Sequence, residues 1–234
     1  MSVFLAELVG TSFILLFGSG SVAAVVLKSS KVEGADWNII SWGWGLGVML
    51  GIYAAGNISG AHINPAVTIG LASAGLFPWS KVPIYILGQL SGAFIGSTLV
   101  WLAYYKHFEK SDDSDGKLAI FSTGPAIRNY KWNLVTEIIG TFILVFAILM
   151  IGRNDITAGV KPFIIGLLIV ALGNSFGGPT GYAINPARDL GPRIAHFILP
   201  IHGKRDSDWE YSWVPIVGPI VGGVLGALLF VAVY

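Results

Sequence analysis

The sequence predicts an all-α membrane protein with six transmembrane helices and two re-entrant half-helices arranged as inverted repeats. Three observations predict this fold: the composition, the lengths of the apolar segments and an internal duplication. The 234-residue chain is 54% hydrophobic and only 12% charged, whereas a soluble domain carries about 25% charged residues. Because so little charge cannot cover the surface of a soluble domain, we expect the chain to lie in a lipid bilayer.

Six apolar segments are long enough to cross the roughly 30 Å hydrocarbon core of a bilayer. They cover residues 4–27, 37–55, 82–105, 132–152, 162–177 and 213–233. Two shorter apolar segments, 64–74 and 185–199, are too short to cross it at about 1.5 Å per residue. We therefore expect both short segments to enter the membrane and end inside it.

The two halves of the chain are repeats of each other. "AELVGTSFILLF" (6–17) matches "TEIIGTFILVFA" (136–147), "GAHINPAV" (60–67) matches "GYAINPAR" (181–188), and the glycine spacing of 88–96 recurs in 218–226. The first repeat, 1–105, is predicted to hold three spans and half-helix 64–74. A polar loop, 106–131, joins it to the second repeat, 132–234, with three spans and half-helix 185–199. Because each repeat has an odd number of spans, the second is expected to be inverted in the membrane.

Each short segment begins with the same three residues: Asn64, Pro65 and Ala66 in the first, and Asn185, Pro186 and Ala187 in the second. Asn is a favoured helix N-cap and Pro is favoured at the first helical position. Two half-helices that enter from opposite faces bring their partly positive N-termini together near the membrane centre. Each Asn is expected to cap its helix with the side-chain oxygen and to point its amide N–H groups into the lumen. Such a centre favours neutral, hydroxyl-bearing solutes over cations.

On these duplicated motifs the chain resembles the aquaporin, or major intrinsic protein, family, and within it the glycerol facilitators, over essentially its whole length. The resemblance implies a passive channel for glycerol and other small neutral solutes, with water permeation. It also implies that Arg188 and the half-helix N-termini exclude cations and protons. A homotetramer in a bacterial plasma membrane is implied, with both termini in the cytoplasm. The loop charges alone predict the opposite orientation.

The resemblance also implies a selectivity filter, formed by Trp44, Gly173, Tyr182 and Arg188. The two aromatic faces provide an apolar wedge for the carbon chain of a small polyol, and Arg188 donates hydrogen bonds to its hydroxyls. Gly173 leaves room for the second ring. Many facilitators carry Phe where this chain has Tyr182, whose hydroxyl would either narrow the pore or add a polar contact.

Four further residues are candidates for lining or supporting the pore: His62, Asp189, Glu7 and Glu137. Intramembrane carboxylates are functional candidates, but the matched positions of the two glutamates favour bonding to the backbone of the re-entrant loops over proton coupling. By resemblance His62 lines the cytosolic half of the pore, with pH gating as an alternative. Asp189 is expected to shape the filter and to pair with Arg193.

Several alternatives stay open at this level. The chain is also compatible with a water-selective channel, with a channel for dihydroxyacetone or undissociated lactic acid, and with a proton-coupled secondary transporter. An enzyme is not expected, since the sequence shows neither a nucleophile–base set nor a phosphate-binding loop. The absence of cysteine and the net charge of +1 give no reason to expect a thiolate metal site, a cofactor or a nucleic-acid partner.

Overall fold

The computed structural model describes residues 1–234 as an all-helical chain. The helices are α1 (Val3–Val26), α2 (Trp37–Ser59), α3 (Pro65–Ser73), α4 (Val82–Ala103), α5 (Tyr105–Lys110), α6 (Ser114–Phe121), α7 (Tyr130–Gly152), α8 (Lys161–Thr180), α9 (Pro186–Ile198) and α10 (Val214–Val233). A short 3₁₀ turn, Trp79–Lys81, leads into α4. Six helices are long and apolar enough to cross a membrane, so the predicted fold class is confirmed.

Two of the spanning helices run further than their apolar segments predict. Helix α2 ends at Ser59 rather than near residue 55, and α8 ends at Thr180 rather than near 177. Each ends at a glycine with left-handed backbone, Gly60 at φ 82° and Gly181 at φ 78°. Glycine adopts this conformation without strain and commonly terminates helices. The helix ends are therefore set by these glycines and not by the limits of hydrophobicity.

The polar connector between the repeats is more ordered than a simple loop. It contains the short helices α5 and α6, and Asp113 caps α6 by accepting from the Gly116 N–H at 2.9 Å. Beyond α6, the Ala126 N–H donates to the Pro179 carbonyl at 3.0 Å, which ties the connector to the end of α8. The connector therefore packs against the helix bundle, where α6 contacts α1 and α9.

Helix crossings within the two repeats use matching glycines. A Cβ on Gly92 of α4 would lie 2.2 Å from the carbonyl oxygen of Leu8 in α1. A Cβ on Gly222 of α10 would lie 2.3 Å from the carbonyl oxygen of Ile138 in α7. Small residues at such crossings allow helix backbones to pack closely in a membrane. Both repeats therefore share the same crossing geometry.

Each half-helix packs against a long helix of the other repeat. In α3, a Cβ on Gly70 would lie 2.7 Å from the Gly223 carbonyl oxygen of α10. In α9, a Cβ on Gly191 would lie 3.0 Å from the Leu90 carbonyl oxygen of α4. This exchange of half-helices binds the two repeats together and brings the N-termini of α3 and α9 close to each other.

Candidate functional site

Both half-helices begin with an asparagine cap followed by proline. The Asn64 Oδ1 accepts from the Ala66 N–H at 2.9 Å. The Asn185 Oδ1 accepts from the Ala187 N–H at 3.0 Å and from the Arg188 N–H at 3.3 Å. These bonds satisfy helix N–H groups that have no partner within their own helix.

The two asparagines are also linked across the repeats. Asn64 Nδ2 donates to the Ile184 carbonyl at 2.8 Å, and Asn185 Nδ2 donates to the Ile63 carbonyl at 2.9 Å. An amide NH₂ group has two hydrogens, so one N–H of each asparagine remains for the lumen. The expectation that both N–H groups of each asparagine point into the lumen is wrong, because one N–H group of each binds the opposite re-entrant loop.

The loops that precede the half-helices have strained backbones at matching positions. Ala61, Ile63, Tyr182 and Ile184 have φ values of 50°, 44°, 39° and 43°. Such left-handed conformations cost non-glycine residues about 1–3 kcal/mol each and persist only where surrounding contacts enforce them.

In the first repeat, the Glu7 carboxylate enforces this conformation. Its Oε1 accepts from Ser59 Oγ at 2.5 Å and from the His62 N–H at 3.0 Å. Its Oε2 accepts from the Ile63 N–H and from Gln89 Nε2, both at 2.7 Å. All acceptor positions of this fully buried carboxylate are therefore occupied.

Glu137 has the corresponding position in the second repeat. Its Oε1 accepts from Thr180 Oγ1 at 2.7 Å and from the Ala183 N–H at 3.0 Å, and its Oε2 accepts from the Ile184 N–H at 2.9 Å. These bonds agree with the prediction that the two matched glutamates bind the backbone of the re-entrant loops. Sequence reasoning missed the hydroxyl partners Ser59 and Thr180, although each stands five residues before its motif asparagine and the repeat alignment pairs them.

Three of the predicted filter residues, Trp44, Tyr182 and Arg188, line one end of a cavity, and Gly173 packs behind them. The Arg188 Cζ lies 3.8 Å from the centroid of the Trp44 ring, a close cation–π contact. Trp44 fits because α1 has a glycine beside it. A Cβ on Gly18 would lie 2.0 Å from the Trp44 ring.

The hydroxyl of Tyr182 faces away from the lumen. It is buried, and a Cβ on Gly173 would lie 2.8 Å from it and from the neighbouring Ser41 Oγ. The ring of Tyr182 therefore contributes an apolar face, while its hydroxyl neither narrows the lumen nor offers a polar contact there.

Arg188 is held in place by the connector between the repeats. Its Nη1 donates to the Phe121 carbonyl at 3.2 Å. Two residues further on, the backbone N–H and the hydroxyl of Thr123 both donate to Asp189 Oδ2, at 2.7 and 2.8 Å. Most of the guanidinium N–H groups remain available to a solute. Sequence reasoning missed Phe121 and Thr123, since a carbonyl acceptor in a polar loop gives no sequence signal.

Asp189 forms a fully buried ion pair with Arg193, at 2.8 Å from Oδ1 to Nε. The Arg193 guanidinium also donates to the carbonyls of Ser207 and Thr123, at 2.7 and 3.0 Å. These bonds join α9 to the connector and to the loop before α10. Asp189 thus acts on the filter through its neighbours and does not face the lumen.

His62 lines the cavity beyond the crossed asparagines. Its Nδ1 lies 3.1 Å from Thr68 Oγ1, and its ring packs against Phe77 and Tyr85, with centroids 4.6 and 4.8 Å away. The imidazole is therefore fixed on one side and open to the cavity on the other.

The cavity has a volume of about 660 Å³ and a mostly apolar wall. It runs from the filter residues past both motif asparagines to Gly152, Arg153 and Lys161 at the other end. No group of three His, Asp or Glu side chains is arranged to hold a metal ion. The wall offers polar atoms along an otherwise apolar path, which suits a small solute with both apolar and hydroxyl surfaces.

The fold and the site define a multi-pass membrane protein in which two inverted half-helices meet beside a continuous cavity. The chain belongs to the major intrinsic protein family, whose sequence profile matches residues 1–230.

Named relatives and a solved structure cover nearly the whole chain. It is 60% identical over 230 residues to the probable glycerol uptake facilitator protein of Thermotoga maritima, with 98% of both chains covered. It is 54% identical over 226 residues to glycerol uptake facilitator protein 3 of Lactiplantibacillus plantarum, covering 97% of this chain and 94% of the relative. The X-ray structure of the aquaglyceroporin from Plasmodium falciparum has a TM-score of 0.88 at 34% identity, covering 98% of this chain and 95% of that chain.

Proposed function

We propose that this chain is a passive transmembrane channel for glycerol and other small neutral solutes, with water permeation. The observation that carries the proposal is the meeting of the two half-helices. Their capped N-termini are linked by the Asn64–Ile184 and Asn185–Ile63 hydrogen bonds beside a continuous cavity. The names of the relatives and of the solved aquaglyceroporin support glycerol as a solute.

The filter proposal assigns each residue a role in recognising a polyol. Trp44 and Tyr182 provide apolar faces for the carbon chain, while Arg188 donates hydrogen bonds to the hydroxyl oxygens. Gly173 provides the space into which the Tyr182 ring fits. The 3.8 Å contact between Arg188 and the Trp44 ring supports this arrangement, because the donor and one apolar face lie side by side.

The exclusion of cations is proposed to follow from three positive features along one path. The N-termini of α3 and α9 each carry about half a positive charge, and Arg188 carries a full charge beside the cavity. A cation would have to give up its hydration where the wall is mostly apolar and the nearest dipoles repel it.

We further propose that the protein resides in a bacterial plasma membrane with both termini in the cytoplasm, and that it assembles as a homotetramer with one pore in each subunit. Family resemblance supports these proposals. Native mass spectrometry of the detergent-solubilised protein tests the tetramer, and protease accessibility of the termini in sealed, oriented vesicles tests the orientation.

Light scattering of proteoliposomes after separate glycerol and sucrose shocks tests the channel function. We expect rapid shrinkage in both cases, followed by re-swelling only in glycerol. Shrinkage without re-swelling in glycerol would instead identify a water-selective channel. Empty liposomes made from the same lipid provide the control.

A further inference from the structure

The hydroxyl of Thr68 is surrounded by three hydrogen-bond partners. Its hydrogen is donated at 3.1 Å to the carbonyl of Asn64, the N-cap of α3. Gln89 Nε2 approaches the same oxygen at 3.0 Å, and His62 Nδ1 lies 3.1 Å from it. A hydroxyl has one hydrogen and two lone pairs, so both nitrogens must donate if all three bonds form.

The orientation of the Gln89 amide follows from Glu7. Gln89 Nε2 lies 2.7 Å from Glu7 Oε2, which also accepts from the Ile63 N–H at 2.7 Å. A carboxylate oxygen only accepts hydrogen bonds, so the nitrogen of Gln89, and not its oxygen, faces Glu7. The same nitrogen then donates its second hydrogen to Thr68.

The protonation of His62 follows from Thr68. When the hydroxyl hydrogen is donated to the Asn64 carbonyl, the 3.1 Å contact with His62 forms with a hydrogen on Nδ1 that is donated to Thr68. In a neutral imidazole protonated at Nδ1, the other nitrogen, Nε2, is an acceptor. Nε2 has no protein partner and is not among the atoms buried without one, and His62 lines the cavity. The acceptor therefore faces the lumen.

We propose that Thr68 and Gln89 are positioning residues that fix the Nδ1–H tautomer of His62, so that Nε2 accepts a hydrogen bond from a solute hydroxyl. The inference rests on the proposed channel function, for which it identifies a complementary acceptor. Arg188 and the free asparagine N–H groups are donors only. A solute hydroxyl both donates and accepts, so His62 adds a side-chain acceptor to the re-entrant loops that line the path.

The second repeat lacks this set of hydrogen-bonded residues. The positions that match His62, Thr68 and Gln89 are occupied by Ala183, Asp189 and Pro219. There the aspartate binds Thr123 and Arg193 instead, next to the donor Arg188. The duplicated chain thus has a cationic donor on the second repeat's side of the crossed asparagines and a neutral acceptor on the first repeat's side.

The tautomer is tested directly by ¹⁵N NMR of histidine-labelled protein in liposomes, with the His62 signal assigned by its loss in H62Q. We expect wild-type His62 to be protonated at Nδ1 and unprotonated at Nε2 at neutral pH. A proton on Nε2 in the wild-type protein would overturn the proposal. This result does not depend on conduction, so it is distinguishable from a failure of the channel function.

Variants at Thr68 supply the second test. T68V removes the acceptor, and we expect a mixture of tautomers, whereas T68S keeps the hydroxyl and should give the wild-type spectrum. The matched control is T141V, since buried Thr141 donates to the Glu137 carbonyl at 2.8 Å and touches no histidine. An unchanged tautomer in T68V would overturn the proposal. If T68V does not fold, the wild-type spectrum decides.

Transport by the same proteins links the tautomer to function. We expect the ratio of glycerol to water permeability to fall about two- to tenfold in T68V, as for the loss of one neutral hydrogen bond. The ratio should stay at the wild-type value in T68S and T141V. A T68V protein with altered tautomer but an unchanged ratio would overturn the role of Nε2 as a solute acceptor.

Discussion

Substitutions of Glu137 test how strongly its carboxylate stabilises the second re-entrant loop. In E137A, the N–H groups of Ala183 and Ile184 lose their acceptor, and so does the hydroxyl of Thr180. Each buried N–H left unpaired costs about 1–3 kcal/mol, so we expect E137A to lower the free energy of unfolding by about 2–6 kcal/mol.

A glutamine at this position should cost less than an alanine. In E137Q, the amide oxygen can keep the bonds from Thr180 and Ala183, while the amide nitrogen faces the Ile184 N–H. With one N–H unpaired, we expect a loss of about 1–3 kcal/mol. The free energy of unfolding should therefore decrease in the order wild type, E137Q, E137A.

The free energy of unfolding is measured by denaturant titration in mixed micelles, together with glycerol permeability in liposomes. Because the strained loop loses its restraint, we expect permeability to fall in the same order as stability. K31A is the control, since Lys31 is exposed in the loop after α1 and such surface changes usually stay within about 0.5 kcal/mol. An E137A protein with wild-type stability and permeability would refute this explanation of the loop.

Three further variants test the filter and its support. Y182F should change the glycerol-to-water permeability ratio less than about twofold, since the hydroxyl is buried away from the lumen and makes no hydrogen bond to a solute there; a large loss in stopped-flow measurements would contradict its placement. G173A puts a Cβ 2.8 Å from Ser41 Oγ and the Tyr182 hydroxyl. Overpacking of about 1–3 kcal/mol should move the ring and lower glycerol permeability about tenfold, whereas unchanged flux would count against a tight fit. D189N leaves Arg193 as an unpaired buried charge, which costs about 3–5 kcal/mol; gel filtration and thermal unfolding should show a destabilised protein, and a wild-type melting temperature would disprove the role of the pair.

Much of the fold can be predicted from short stretches of the sequence. Apolar segment lengths predict the six spanning helices, and the repeated Asn-Pro pairs predict where helices begin inside the membrane, because capping chemistry is local. Helix ends are less predictable: α2 and α8 continue through polar and glycine-rich sequence to Gly60 and Gly181. There the backbone conformation of one residue decides the boundary.

Some residues of the site can also be predicted from the sequence, whereas others depend on how the helices pack. Residues that repeat between the halves, such as Glu7 and Glu137, are visible from the sequence because duplication marks them. The Phe121 carbonyl that holds Arg188 is a backbone atom in a loop, which no residue pattern signals. The direction of the Tyr182 hydroxyl depends on Gly173, a residue from another helix. Such contacts exist only once the helices are packed.

The Thr68–Gln89 pair explains why one kind of supporting residue is hard to find by repeat analysis. Its members have no counterparts in the second repeat, where Asp189 and Pro219 stand at the matching positions. Repeat alignment highlights what the halves share, whereas the differing positions separate a donor side of the path from an acceptor side. The roles of Thr68 and Gln89 follow from the hydrogen bonds that they form in the folded chain.

The most direct test measures glycerol flux and proton flux in the same proteoliposomes, by light scattering and by a pH-sensitive dye trapped inside. If the half-helix N-termini and Arg188 form a passive, cation-excluding path, glycerol will enter rapidly while the proton leak stays at the level of empty liposomes. Glycerol entry will also be unaffected by an imposed pH gradient. Proton flux that rises together with glycerol flux, or glycerol entry that requires a gradient, would contradict a passive channel and indicate proton-coupled transport.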